Sequence, residues 1–157
     1  MAFEDSSLSG RYVLVNLGVA QGTQISSRTS AVVGKLTASS DGGTKSTVVA
    51  LTAASKAAGK LISIVEIAKR ELATKGVKAF QYNALSSRMT DVPRRRPGLE
   101  NGDAESGAED NDSDDAFEVM GQAQESDMKK RNVPLMTIYL STASVKELKL
   151  AFGEQKT

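Results

Sequence analysis

The sequence predicts an α/β protein, a two-layer β-α-β-α-β-β domain whose last two strands form a hairpin with a long disordered insert. Three observations predict it. Short β-rich runs alternate with two helix-period segments, and the last two runs follow with no helical segment between them. Residues 57–73, AAGKLISIVEIAKRELA, carry a helical apolar period, opened by Gly59-Lys60 and closed by Gly76. Residues 86–133, between the last two runs, are dominated by Gly, Ser, Asp, Glu and Asn and far exceed an ordinary hairpin loop.

Taken in order, residues 1–10 are polar and acidic and read as a flexible lead-in without a secretory signal. The domain is expected over residues 11–152, interrupted by a disordered acidic insert at 92–132 and followed by a tail at 153–157. Residues 11–17, RYVLVNL, give the first strand. Residues 18–24 are a Gly-containing turn, with Gly18 and Gly22 too sparse to argue for a phosphate cradle. Residues 25–36 give a helix with Ile25, Val32, Val33 and Leu36 as its apolar positions, although its Ser, Thr and Gly34 are weak helix formers. A loop around Asp41-Gly42-Gly43 leads to a second strand at 46–52. Residues 77–85 give a third strand, with Phe80 and Tyr82 on one face. Residues 134–141 give a fourth, with Met136, Ile138 and Leu140 on one face and Leu135, Thr137 and Tyr139 on the other. The four aromatic residues Tyr12, Phe80, Tyr82 and Tyr139 are expected to pack within the fold rather than to stack on bases. The tail residues Val145, Leu148, Leu150 and Phe152 fit either an added strand or packing against a partner.

On the second helix, Leu61, Ile64, Val65, Ala68 and Leu72 fall on one stripe and Ile62 and Ile67 lie on opposite flanks. The apolar arc is then roughly 220° wide at ~100° per residue, against the ~100° an ordinary surface helix needs. A single sheet face does not cover so wide an arc. A partner chain over Leu61, Ile62, Ile64, Val65 and Ile67 is the simplest second surface. Gly59 and Lys60 stand at the helix start, where free N–H groups and the helix dipole favour an anion. The plainer reading is a core helix with a solvated lysine at its mouth.

Composition narrows the chemistry. Hydrophobic residues make up 39% of the chain and aromatic residues 4%, which fits a modest core with polar attachments. With no Cys and no His, disulfides, thiol nucleophiles, serine triads and ordinary zinc sites are unavailable. No nucleophile–base pair or metal cluster can be assembled, so no catalytic residue, metal or cofactor is expected. No run approaches 18 apolar residues, so no transmembrane helix and no membrane partner are expected.

The net charge of +1 conceals an asymmetry. Residues 99–128 hold 11 acids and no Lys or Arg before Lys129, leaving 20 basic residues against 8 acidic ones elsewhere. Such an imbalance points to a polyanionic partner, with the acidic block as an internal mimic or only as a solubilising loop. Both ends of the insert are basic: Arg88 and Arg94 to Arg96 on one side, Lys129 to Arg131 on the other. Two basic strand ends on one edge make a clamp for a phosphate backbone, with a targeting signal or solvated loop charge as the alternatives.

The element order, the Gly-Lys opening of the second helix and the basic hairpin resemble the Alba family of nucleic-acid-binding proteins. Gly59-Lys60-Leu61-Ile62-Ser63 is similar to the Gly-Lys/Arg-x-Ile-Ser segment of that family, and Val65 to Arg70 continues the likeness. Within the family the chain resembles an Alba-type protein subunit of fungal ribonuclease P and ribonuclease MRP. Leu61 to Ile67 with Gln81-Tyr82-Asn83, and Val133-Pro134-Leu135 with the tail after Ser141, carry that closer likeness. It spans roughly residues 11–152 without the insert. The loop at 18–24 lacks the paired lysines common in archaeal relatives, and the hairpin is lengthened. Both departures weaken a reading as a generic DNA coat.

The resemblance implies a non-catalytic RNA-binding subunit for tRNA and rRNA processing, in the nucleus and its nucleolus. It implies a heterodimer with a second Alba-like protein on a structured region of ribonuclease P or MRP RNA, and in budding yeast also telomerase RNA. By similarity, Lys60, with Lys56 before it, contacts the backbone at the helix mouth. Arg28 does so from the first helix, and Arg88, Arg94, Arg95 and Arg96 from the hairpin. Two other readings stand beside this one: a stand-alone Alba-type DNA- or RNA-binding homodimer, and a protein-interaction module without nucleic-acid binding.

Overall fold

The structure is a computed structural model that describes residues 5–38, 45–93 and 128–157. The chain divides into a body, Met1–Arg88 with Asn132–Thr157, and a second unit, Met89–Arg131. The elements are α1 (Ser6–Ser9), β1 (Val13–Val19), α2 (Ile25–Ala38), β2 (Thr47–Ala54), a 3-10 turn (Ser55–Ala57), α3 (Ala58–Thr74), β3 (Phe80–Pro93), β4 (Met128–Ser141), α4 (Lys146–Phe152) and β5 (Gln155–Lys156). The expected β-α-β-α-β-β order is thus present as β1-α2-β2-α3-β3-β4. The strands lie in the order β1-β2-β4-β3-β5. β1 and β2 run parallel, with Val19 opposite Ala53, and α2 is the crossover between them. β2 and β4 run antiparallel, with Val49 opposite Leu140.

The helix layer follows from the apolar period. Leu61, Ile64, Val65, Ala68 and Leu72, the five residues of the expected stripe, are the buried residues of α3. They meet Val32, Val33 and Leu36 of α2 and the β-sheet residues Val49, Leu51, Ile138 and Leu140 in one cluster. Burying a side chain of this size contributes roughly 1.5–3 kcal/mol. α3 ends because Gly76 adopts φ +72°, a region other residues reach only with strain. The Gly76 N–H then donates to Ala73 O (3.0 Å) and the Val77 N–H to Leu72 O (2.9 Å), the paired bonds of a Schellman ending.

Alternation along the strands fills the opposite sheet face. Val48, Ala50, Tyr82 and Tyr139 form a second cluster with Leu8, Val145 and Leu148, against which Tyr12, Phe80 and Phe152 pack. The four aromatic residues therefore pack within the fold, as expected, Tyr82 and Tyr139 in the cluster itself and Tyr12 and Phe80 half-buried against it. Two sequence expectations are corrected on this face. Residues 6–9, read as part of a flexible lead-in, form a helical turn whose Leu8 is fully buried. Within the tail, Lys146–Phe152 form a helix rather than an added strand, because Val145, Leu148 and Phe152 recur on one helical side, while Leu150 points out.

Polar contacts hold these terminal segments. Arg11 Nη1 and Glu147 Oε1 pair at 2.9 Å. The Tyr139 hydroxyl donates to Asp5 Oδ1 at 2.8 Å, and its ring stacks on Phe152. Burial and that bond push the Tyr139 phenol well above its ordinary pKa, so it remains a donor. β5 closes the sheet by pairing antiparallel with the start of β3.

β3 and β4 run further into the expected insert than 92–132 allowed. Strand structure continues to Pro93 and resumes at Met128. β-branched Thr90, Val92 and Val133 sustain these extensions. In the second unit, residues 89–93 and 128–131 are exposed strand ends apart from the half-buried Thr90 and Val92. The expected disorder at the centre of the insert falls outside the described residues.

Candidate nucleic-acid interface

Parallel strands place their C-terminal ends together, so the turn after β1 and the entry to α3 after β2 emerge at one edge. The turn is tight. The Ala20 N–H donates to Thr23 Oγ1 at 2.9 Å, and the Thr23 N–H returns to Ala20 O at 3.1 Å. α2 then begins: the Arg28 N–H donates to Gln24 O at 3.2 Å, so the N–H groups of Ile25, Ser26 and Ser27 precede the first helical bond and form the open start of the helix among the described residues. Across from them, the Lys60 ammonium donates to the Gln21 carbonyl. An ammonium carries three donors, so two remain for a ligand. Lys60 is half-buried, and Gly59 is the acceptor for the Ser63 hydroxyl at 3.1 Å.

A groove runs from this point between α2 and α3. Gly22, Thr23, Gln24, Ser26 and Lys60 line one end, and Ile67 and Glu71 line the other. Glu71 lies eleven residues beyond Lys60, about 16 Å along the helix at 1.5 Å per residue, so the cationic character belongs to the Lys60 end. The Thr29 hydroxyl, beneath the groove, is buried without a hydrogen-bond partner among the described residues. Helix start and ammonium together make the Lys60 end suited to a phosphate oxygen.

The other expected contact residues are distributed differently. Lys56 is exposed in the 3-10 turn just before α3. Arg28 is not at the groove: two residues past Ser26 it is turned about 200° around α2, onto the flank with Lys35. Its guanidinium makes no hydrogen bond or ion pair among the described residues. Arg88 is exposed in β3. Lys129, Lys130 and Arg131 are exposed in β4, while Arg94, Arg95 and Arg96, the other arm of the expected clamp, lie outside the described residues.

Of the five residues expected to meet a partner chain, three are covered within this one. Leu61, Ile64 and Val65 belong to the core of the chain itself, at 1% exposure or less. α2 and the sheet together cover them, which a count against one sheet face overlooked. Ile62 at 45% and Ile67 at 38% are the two that stay exposed.

Sequence reasoning missed the Gln21 carbonyl, Ser26 and Thr29. The signal for them was topological. Once 11–17 and 46–52 are read as parallel neighbours, the turn at 20–24 must sit beside residues 55–60. Among the described residues no helix is long and apolar enough to cross a membrane, and no group of three Asp or Glu residues is placed to hold a metal ion.

The body is a basic α/β domain with a cationic groove mouth: its described residues hold 14 Lys and Arg against 5 Asp and Glu. No protein-family profile matches the chain, and no curated protein matches it in sequence. Among solved structures the chain is similar to Alba from Thermoplasma volcanium, at 12% identity and a TM-score of 0.41, over 82% of this chain and 98% of that one.

Proposed function

We propose that this chain is a non-catalytic nucleic-acid-binding protein that reads phosphate backbone at the mouth of the α2–α3 groove. In the finer form of this reading it is an Alba-type subunit of ribonuclease P and MRP in the nucleus and its nucleolus. It pairs there with a second Alba-like chain and holds a structured region of the RNA, with telomerase RNA as a related ligand. The supporting observation is the juxtaposition of the Lys60 ammonium with the open start of α2, within a body whose Lys and Arg outnumber its acids. Double-stranded RNA is recognised mainly by shape, phosphate and 2′-hydroxyl contacts, which a point cation beside free N–H groups suits. Pairing draws on Ile62 and Ile67, the exposed apolar residues of α3. The absence of His and Cys from the chain leaves the common nucleophile–base pairs out of reach.

Two measurements test this. Lys60→Ala weakens binding to many duplex sequences alike and flattens the salt dependence by about one unit of slope. An unchanged slope with an intact fold removes Lys60 from the contact. Affinity capture of the tagged chain at moderate salt, with RNA sequencing and protein identification, tests the finer form. Ribonuclease P or MRP RNA with one Alba-like partner supports it. A broad mixture of messages or chromatin points to a stand-alone binder, and proteins without nucleic acid to an interaction module.

A further inference from the structure

β1 is the free edge of the sheet, with β2 on one side and no described strand on the other. Its sequence, VLVNLGV, contains none of the lysines, prolines or inward charges that usually blunt such an edge. The Val13 N–H donates inward to Ser46 O at 3.0 Å. Alternation then turns the N–H and C=O groups of Leu14, Asn16 and Gly18 outward. Val13, itself 48% exposed, and Val15 border a shallow groove with Ala31, Gly34 and Lys35 of α2 and with Lys45. Arg28 and Lys35, two turns apart, share one flank of α2. Among the described residues, Arg28, Lys35 and Lys45 have no ion pair, and no acidic side chain lines this groove.

We propose that β1 is a docking edge for an extended acidic peptide segment of a partner protein, which adds a strand to the sheet and sets its carboxylates against Arg28, Lys35 and Lys45. Main-chain bonds supply the pairing in this mode of recognition, and the flanking side chains supply the selectivity. The edge itself argues for a peptide rather than a nucleic acid. It offers donors and acceptors alternately, whereas a phosphodiester only accepts and is repelled by the outward carbonyls. Charge argues against a second copy of this chain: β1 pairing about a two-fold axis sets the Arg28 and Lys35 flank of one copy beside that of the other.

The test uses the full chain labelled with nitrogen-15 and an eight-residue capped peptide alternating glutamate with valine and threonine. At millimolar peptide, amide shifts are expected to concentrate on Leu14, Asn16 and Gly18. N-methylating the peptide along its pairing edge abolishes them. Lys35→Glu with Lys45→Glu weakens binding about tenfold. Asn16→Pro removes an outward N–H from a solvated edge position, leaves the β1–β2 ladder intact, and abolishes binding. The proposal is overturned if the β1 amides do not shift, or if the N-methylated peptide binds equally well, which reduces the effect to charge alone. It is also overturned if the shifts follow protein concentration without peptide and vanish in Asn16→Pro, which identifies a second copy as the occupant.

Discussion

Replacing Ile64 by alanine lowers the unfolding free energy by about 2–5 kcal/mol, read as a fall in the urea midpoint at unchanged slope. Ile64 is fully buried on the central stripe of α3, between α2 and the sheet. Truncation removes its transfer free energy and leaves a cavity that two packed layers cannot collapse around. Ile62→Ala and Ile67→Ala, on the exposed flanks of the same helix, shift the midpoint of the isolated chain little, within about 0.5 kcal/mol each. On the proposed reading their effect falls on pairing: sedimentation with an Alba-like partner shows a weaker complex for Ile62→Ala with Ile67→Ala. Pairing that survives the double substitution moves the partner surface off α3, whatever Ile64→Ala does to stability.

That contrast marks how far the sequence carries. The stripe on α3 was legible because a 3.6-residue period is a local property, and so was the Gly76 ending. The width of the apolar arc was legible too, but not what covers it. Leu61, Ile64 and Val65 are covered by α2 within the same chain, a contact between residues some thirty positions apart that no local pattern encodes. Lys60 was legible as a cation at a helix start, whereas its neighbour, the Gln21 carbonyl, depends on strand order. Arg28 shows the converse: one basic residue in the right helix, but on the flank away from the groove. The buried Leu8 escaped notice because a single apolar residue among Ser and Asp carries no period at all.

Replacing Tyr82 by phenylalanine destabilises the terminal half of the sheet by about 1–3 kcal/mol, the ordinary effect of orphaning a buried polar group. The Tyr82 hydroxyl does two things at once. It accepts from the buried Val145 N–H at 2.8 Å, at the entry to α4, and donates to Glu154 Oε2 at 2.9 Å, just beyond α4. Glu154 also accepts from the Ser144 hydroxyl and stands 3.6 Å from the Lys149 ammonium and 3.9 Å from that of Lys156. The Ser144 bond is the largest cause holding the Glu154 carboxyl below its usual pKa; burial opposes it, and Tyr82, Lys149 and Lys156 reinforce it. The unfolded chain therefore takes up this proton more readily than the folded one. The stabilisation is complete above the ordinary Glu range, around pH 4.3, and is lost as pH falls through the lower folded value. Two contributions to the Tyr82→Phe defect then separate by pH. The unsatisfied Val145 N–H persists at any pH, whereas the part that runs through the carboxylate fades in acid. Urea unfolding of both proteins near neutrality and about a unit below the ordinary Glu value distinguishes them. A gap that narrows in acid assigns part of the effect to Glu154, and a constant gap assigns it to Val145 alone. Equal stability at both pH values removes the hydroxyl from the forces that hold α4 over Leu8 and Tyr139. Loss of α4 protection in amide exchange, with α3 unchanged, places the defect on that second sheet face, away from the Lys60 groove.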